Sequence, residues 1–327
     1  MMNNLLNCFI FMIYHVAFTF ASAGDNSYFY QNCVQRCVST NCTRDGKFKE
    51  KVVIQLESWS GMLFWNCKDE CQYQCMWRTV LLFEKEGHAL PKFHGKWPFR
   101  RLFGVQEPAS AFSSALNLAA HIFMSNKIRR EFPSKSTPLV LFWQAFAIVC
   151  MNAWIWSIIF HTKDNTFTEF MDYACALSMV MSLFVAAMVR IFHKKRKLLA
   201  VLVSSSVAVF VTHVRYLNSR RIDYNYNMAV NVSFGVTGSC AWLIWATAQW
   251  RAGRRYAWRM VVFTLLSGVT LSLELLDFPP MFGAWDAHAL WHLSTAPLPL
   301  LFYKFVIDDL HYLQSGDTML KENLKIT

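Results

Sequence analysis

The sequence is short of charge. Asp, Glu, Lys and Arg make up 16% of its 327 residues, against roughly 25% in soluble domains. With 54% hydrophobic and 16% aromatic residues, that scarcity argues against a water-soluble domain and for a membrane protein. Acidic residues are the scarcer sign, 21 against 32 basic, for a net charge of +11. The excess does not call for a nucleic-acid partner, because the basic residues cluster between apolar runs, where membrane orientation puts them. Also missing is any Lys or Arg in the first 23 residues. The apolar core "NCFIFMIYHVAFTF" and the small residues Ala21–Ala23 still read as a signal peptide over 1–23, with an uncleaved anchor as the alternative. No internal repeat is visible, and the ending "LKENLKIT" carries no "KDEL".

What is present begins with cysteine. Cys8 falls in the signal peptide, and Cys33, Cys37, Cys42, Cys67, Cys71 and Cys75 all precede the first apolar span. An even, clustered set behind a signal peptide reads as three disulfides in an oxidising compartment, with a zinc cluster as the alternative. Cys67, Cys71 and Cys75 step by four and line one helix face, as do Cys33 and Cys37. Two antiparallel helices stapled through those faces would pair them in nested order. Asn41-Cys42-Thr43 is a glycosylation sequon. Residues 24–108 are therefore expected to form a luminal Cys-rich domain. Its end, "EGHALPKFHGKWPFRRLFGVQEP", mixes aromatics with Lys, Arg and His, as suits a headgroup zone.

Seven apolar segments follow, roughly 109–125, 138–160, 172–192, 198–213, 227–249, 257–277 and 287–307, several of the ~20 residues that cross a bilayer. The first and fourth are short and more polar. The expected fold is thus an all-α membrane protein, a seven-transmembrane helix bundle over 109–311 with a tail at 312–327. With a luminal N-terminus, "SNKIRREFPSK", "HKKRK" and "RAGRR" become cytosolic and "HTKDNTFTEF" and "FPPMFGAWD" luminal, which obeys the positive-inside tendency. "RYLNSRRIDYNY", with Arg215, Arg220 and Arg221, is the exception. The C-terminus is then cytosolic.

That topology gathers polar residues at one depth. Ser157 and His161 share a face at the luminal end of the second span, Asp172 opens the third, and His288 and His292 lie in the first turns of the seventh. Two histidines at i and i+4 can chelate one metal ion. With His161 they make three imidazoles and leave a fourth position open, the arrangement of a catalytic zinc site. Asp172 and Ser157 would move protons or orient water. His121 and His213 read instead as helix-to-helix hydrogen-bonding groups. Glu274, Asp277 and Asp286 lie on the same side, as supports of the site or as loop residues. Asp308-Asp309 reads as a helix-end feature.

The spacing S-x3-H, an Asp eleven residues past that His, and H-x3-H together resemble the signature of the CREST membrane hydrolases, a superfamily that includes alkaline ceramidases and adiponectin-type receptors. The Cys-rich segment, "KFHGKWPFRR", "GVQEPAS", "WIWSIIFHTKD" and "TEFMDY" further resemble the post-GPI-attachment phospholipase family. That resemblance implies a Zn2+-dependent hydrolase that removes the sn-2 fatty acid from the lipid of GPI-anchored proteins. It also implies the Golgi membrane, with the endoplasmic reticulum as the alternative. The five core residues do not separate an ester from a ceramidase-like amide, and a non-enzymatic seven-span receptor is the third reading.

Overall fold

The computed structural model describes residues 22–49, 65–133, 137–219 and 222–326, the last ten by backbone alone. The signal peptide, apart from its last two residues, and Arg220 and Arg221 lie outside the described residues. Among those described the chain is helical, and its β pairing is confined to isolated bridges. Two compact units are present: residues up to Ala109 with Leu275–Ala287, and Ser110–Glu274 with His288–Thr327.

The first unit is a stapled helical hairpin. Helices α1 (Tyr28–Asn41) and α2 (Cys67–Lys85) are joined by Cys33–Cys75, Cys37–Cys71 and Cys42–Cys67, the nested order that the four-residue spacing predicts. The sulfurs of Cys42, Cys67 and Cys71 approach one another within 4.8 Å. Each is already in a disulfide, so the group offers no thiolate to a metal. A capping box starts α2: the Asp69 N–H donates to Asn66 Oδ1 at 2.9 Å and the Asn66 N–H to Asp69 Oδ2 at 3.1 Å. Asn41, the sequon residue, ends α1. Following α2, Arg101 sits 3.6 Å from the Trp65 ring centre and 4.2 Å from that of Tyr73, and pairs with Glu70 at 2.6 Å. A buried guanidinium is thus met by two ring faces and a carboxylate.

The second unit is built from α3 (Pro108–Glu131), α4 (Val140–Thr162), α5 (Thr166–Phe192), α6 (Arg196–Ser219), α7 (Tyr224–Arg251), α8 (Trp258–Leu276), α9 (Ala287–Thr295) and α10 (Leu298–Ile326). Helices α4 to α7 and the segment Arg255–Leu276 are long and apolar enough to cross a membrane. Isoleucines and valines such as Ile148, Ile244 and Val269 are exposed on them, as helix surfaces facing lipid require. Trp143, Phe146, Trp242, Phe302, Tyr303 and Phe305 fill the core.

Two of the seven expected segments differ. The first becomes the 24-residue α3, but it is too polar to qualify by composition. The last is not one helix. It breaks at Ala296-Pro297, because Pro297 has no N–H to give Leu293 and its ring disfavours helix before it. The Ala296 N–H turns to the Leu293 carbonyl at 3.2 Å, and α10 restarts with Leu300 N–H on Pro297 O. The backbone then stays helical across residue 312, where a tail was expected to begin.

Asp308 and Asp309 are not a helix-end feature. They lie mid-helix, and Asp309 is fully buried. It accepts two bonds from Arg190, at 2.6 and 2.9 Å, and one from the Tyr256 hydroxyl at 2.7 Å. The Arg190 guanidinium also lies 4.8 Å from the Trp245 ring centre, while Asp308 pairs with Arg259.

Candidate metal centre

His161 stands at the last full turn of α4, and His288 and His292 lie one turn apart on α9. Their nitrogens converge. His292 Nε2 is 2.9 Å from His288 Nε2, which is 3.4 Å from His161 Nε2. Each of the three offers a nitrogen within 4.8 Å of the others. Tetrahedral ligation with bonds of about 2.0–2.1 Å sets ligand nitrogens roughly 3.3 Å apart, so the spacing fits a single ion. Three nitrogens aimed at one point otherwise face one another lone pair to lone pair, unless protons intervene.

Sequence alone leaves Glu274, near the end of α8, open between a support of the site and a loop residue. Its Oε2 lies 2.6 Å from His288 Nδ1, and its Oε1 accepts from the Tyr224 hydroxyl at 3.0 Å. An ionised carboxylate there makes Nδ1 the protonated nitrogen and leaves the Nε2 lone pair free for a metal. Asp277 serves elsewhere, accepting from Lys92 and from the Trp97 indole. His121 and His213 do bridge helices, to Tyr303 at 3.0 Å and to Asn227 at 3.0 Å.

The larger surprise is α3. Ser110, Ser113, Ser114, Asn117 and His121 fall on one face at helical spacing, and all are buried. This stripe is what made the segment look like a poor span. Ser114 Oγ is 3.0 Å from Ser157 Oγ, and the Asn117 amide donates to the His292 carbonyl at 2.8 Å. Ser110 Oγ, Ser113 Oγ, Asn117 Oδ1, Trp154 Nε1 and His292 Nδ1 are buried with no hydrogen-bond partner. Trp154 packs edge-on to the His292 ring at 5.4 Å. Unmet polar atoms at this density call for water or a polar ligand. Ser157 lies one turn before His161 and belongs to this group. Asp172 is half-buried on α5, the seventh residue of a helix started by the Asn165 cap, whose Oδ1 accepts from Phe167 and Thr168 at 2.9 and 3.1 Å.

Helices apolar enough to cross a bilayer and a buried three-histidine centre backed by a carboxylate define a multi-pass membrane protein with a candidate metal site. The chain belongs to the Per1-like family, which matches it over residues 58–310. It is 43% identical over 299 residues to the GPI-specific phospholipase A2-like PGAP3 of Xenopus laevis, covering 90% of this chain and 92% of that protein. Post-GPI attachment to proteins factor 3 of Drosophila melanogaster is 42% identical over 290 residues, 88% of each. The human GPI-specific phospholipase A2-like PGAP3 is 40% identical over 295 residues, 89% of this chain and 90% of that protein.

Proposed function

We propose that this protein is a metal-dependent lipid hydrolase that removes the sn-2 fatty acid from the lipid of GPI-anchored proteins. The observation that carries the reading is the convergence of His161, His288 and His292, with Glu274 behind His288; the relatives' names supply the substrate class. Zinc held by these imidazoles would supply Lewis acidity toward the ester carbonyl and the attacking water. Asp172 takes the water's proton as its oxygen bonds to the acyl carbon, and delivers a proton to the leaving lysolipid oxygen as the ester bond breaks. Ser157, held by Ser114, orients the water or donates to the developing oxyanion. Seven crossings then comprise the five apolar helices, α3 with its polar stripe turned inward, and the broken α9–α10 pair. The Cys-rich unit, with its sequon at Asn41, faces the lumen of the Golgi, where a protein-linked glycolipid projects, and the C-terminus is cytosolic.

The test is the GPI lipid profile of cells lacking the protein, rescued with wild type or with His292→Ala. Wild type should restore remodelling of the sn-2 chain and the variant should not. An unchanged profile on loss of the protein would refute the reading.

Glu274 has its own expected outcome. Glu274→Ala removes the acceptor on His288 Nδ1 and should weaken zinc affinity by about 10–100-fold, measured by competition with a chelator. Glu274→Gln keeps an acceptor and should fall between that variant and wild type. Equal affinity in all three would leave Glu274 a purely structural partner of Tyr224.

A further inference from the structure

The first unit contains three tight turns of one design: Phe93-His94-Gly95-Lys96, Leu102-Phe103-Gly104-Val105 and Met281 to Trp285. Each is closed by an antiparallel bridge, Phe93 with Lys96, Leu102 with Val105 and Met281 with Trp285. In each, glycine and the residue before it both have positive φ: 52° and 85° at His94 and Gly95, 52° and 77° at Phe103 and Gly104, 54° and 73° at Phe282 and Gly283. Asn, Asp or Gly ordinarily fills the first of these positions, and a bulky residue there is an outlier. In two of the three turns phenylalanine holds it, and most of its surface is exposed. Phe282 is 95% exposed and Phe103 63%, beside Leu102 at 55% and Met281 at 47%. In water this arrangement loses twice, since the backbone is strained and the apolar surface stays wet.

The two phenylalanine turns are neighbours, because the Arg100 N–H donates to the Gly283 carbonyl at 2.9 Å. Arg100 is itself exposed. Both turns also lie close in sequence to long helices. Phe103 stands five residues before α3, and Phe282 lies between Leu276, the last residue of the apolar α8, and Ala287, the first of α9. At ~3.5 Å per residue at most, neither turn can be more than about 20 Å from a helix end. Leaving water for the bilayer interface would bury the rings and so offset the strain, and an exposed arginine packed along Gly283, its guanidinium 5.4 Å from the Trp77 ring centre, suits phosphate-bearing headgroups.

We propose that the Phe103 and Phe282 turns form a paired membrane contact, their rings entering the lipid leaflet next to the first unit and Arg100 lying among its headgroups. This contact is independent of the hydrolase reading, since it needs neither metal nor turnover.

The test is spin-label depth in the full chain reconstituted into phosphatidylcholine–phosphatidylserine vesicles. Labels are placed at Phe103→Cys and Phe282→Cys, each in a Cys240→Ser background because Cys240 is a free, exposed thiol. Asp45→Cys, in an exposed turn of the same unit, is the aqueous reference. Labels at 103 and 282 should collide several-fold more with oxygen, relative to a water-soluble nickel complex, than the label at 45. Accessibility equal to that at 45 would overturn the proposal. Weak collision with both reagents would overturn it as well, because the rings would then be covered by protein, such as a second copy of the chain. If either phenylalanine variant fails to elute as folded protein, Leu102→Cys and Met281→Cys carry the label.

Discussion

Asp172→Asn should keep its metal and lose its turnover, whereas His292→Ala should lose both. Asparagine preserves the size and most of the hydrogen bonding of Asp172 but cannot accept the water's proton. Bound zinc should stay near one per purified protein while fatty-acid release from a GPI substrate falls by ~10²–10⁴, the usual contribution of a positioned acid–base group. His292→Ala removes one of three ligands and should abolish both signals. The paired measurement separates a catalyst from a scaffold. Full activity in Asp172→Asn would take this residue out of the mechanism, and loss of zinc there would make it a ligand or a support for one.

The second large effect lies away from that chemistry. Asp309→Ala leaves the Arg190 guanidinium buried without its carboxylate, and breaking such a pair costs about 3–5 kcal/mol. The variant should unfold at markedly lower temperature in detergent and be recovered in low yield. Arg190→Met with Asp309→Leu removes both charges and should regain much of the loss, since an apolar pair of similar volume is often as stable as a buried ion pair. A single variant as stable as wild type would show that water reaches this cluster. Bound zinc in whatever folded protein remains should be unaffected.

What could be read from sequence followed spacing. His288 and His292 stand out because they sit at i and i+4 on an apolar segment, at the same expected depth as Ser157, His161 and Asp172. The cysteines do so because the same spacing recurs on two helices of opposite direction. Glu274 could not be assigned, because its contact with His288 depends on the path of the chain from the end of α8 to the start of α9, and no local periodicity encodes that path. The stripe on α3 is visible in the sequence as polarity, where it reads as weakness of a span. Polar residues at i, i+3, i+4 and i+7 there weaken the hydropathy signal for the same reason that they serve a buried polar site. Asp308-Asp309 reads as a helix-end feature because no local pattern shows that Arg190, 119 residues from Asp309 in sequence, is placed against it.

The break at Pro297 decides how cleanly the histidines can be studied. With the Ala296 N–H turned to Leu293, the His292 carbonyl takes the Thr295 hydroxyl at 2.9 Å and the Asn117 amide at 2.8 Å. Helix α3 is therefore fastened to the peptide at position 292 and not to the imidazole it carries. That joint is indifferent to which side chain stands there. Exchanging His292 alters the donor set and leaves the seam between α3 and α9 intact, while exchanging Asn117 opens the seam with all three imidazoles still present. Architecture and chemistry meet at one residue but through different atoms, so each can be removed without the other.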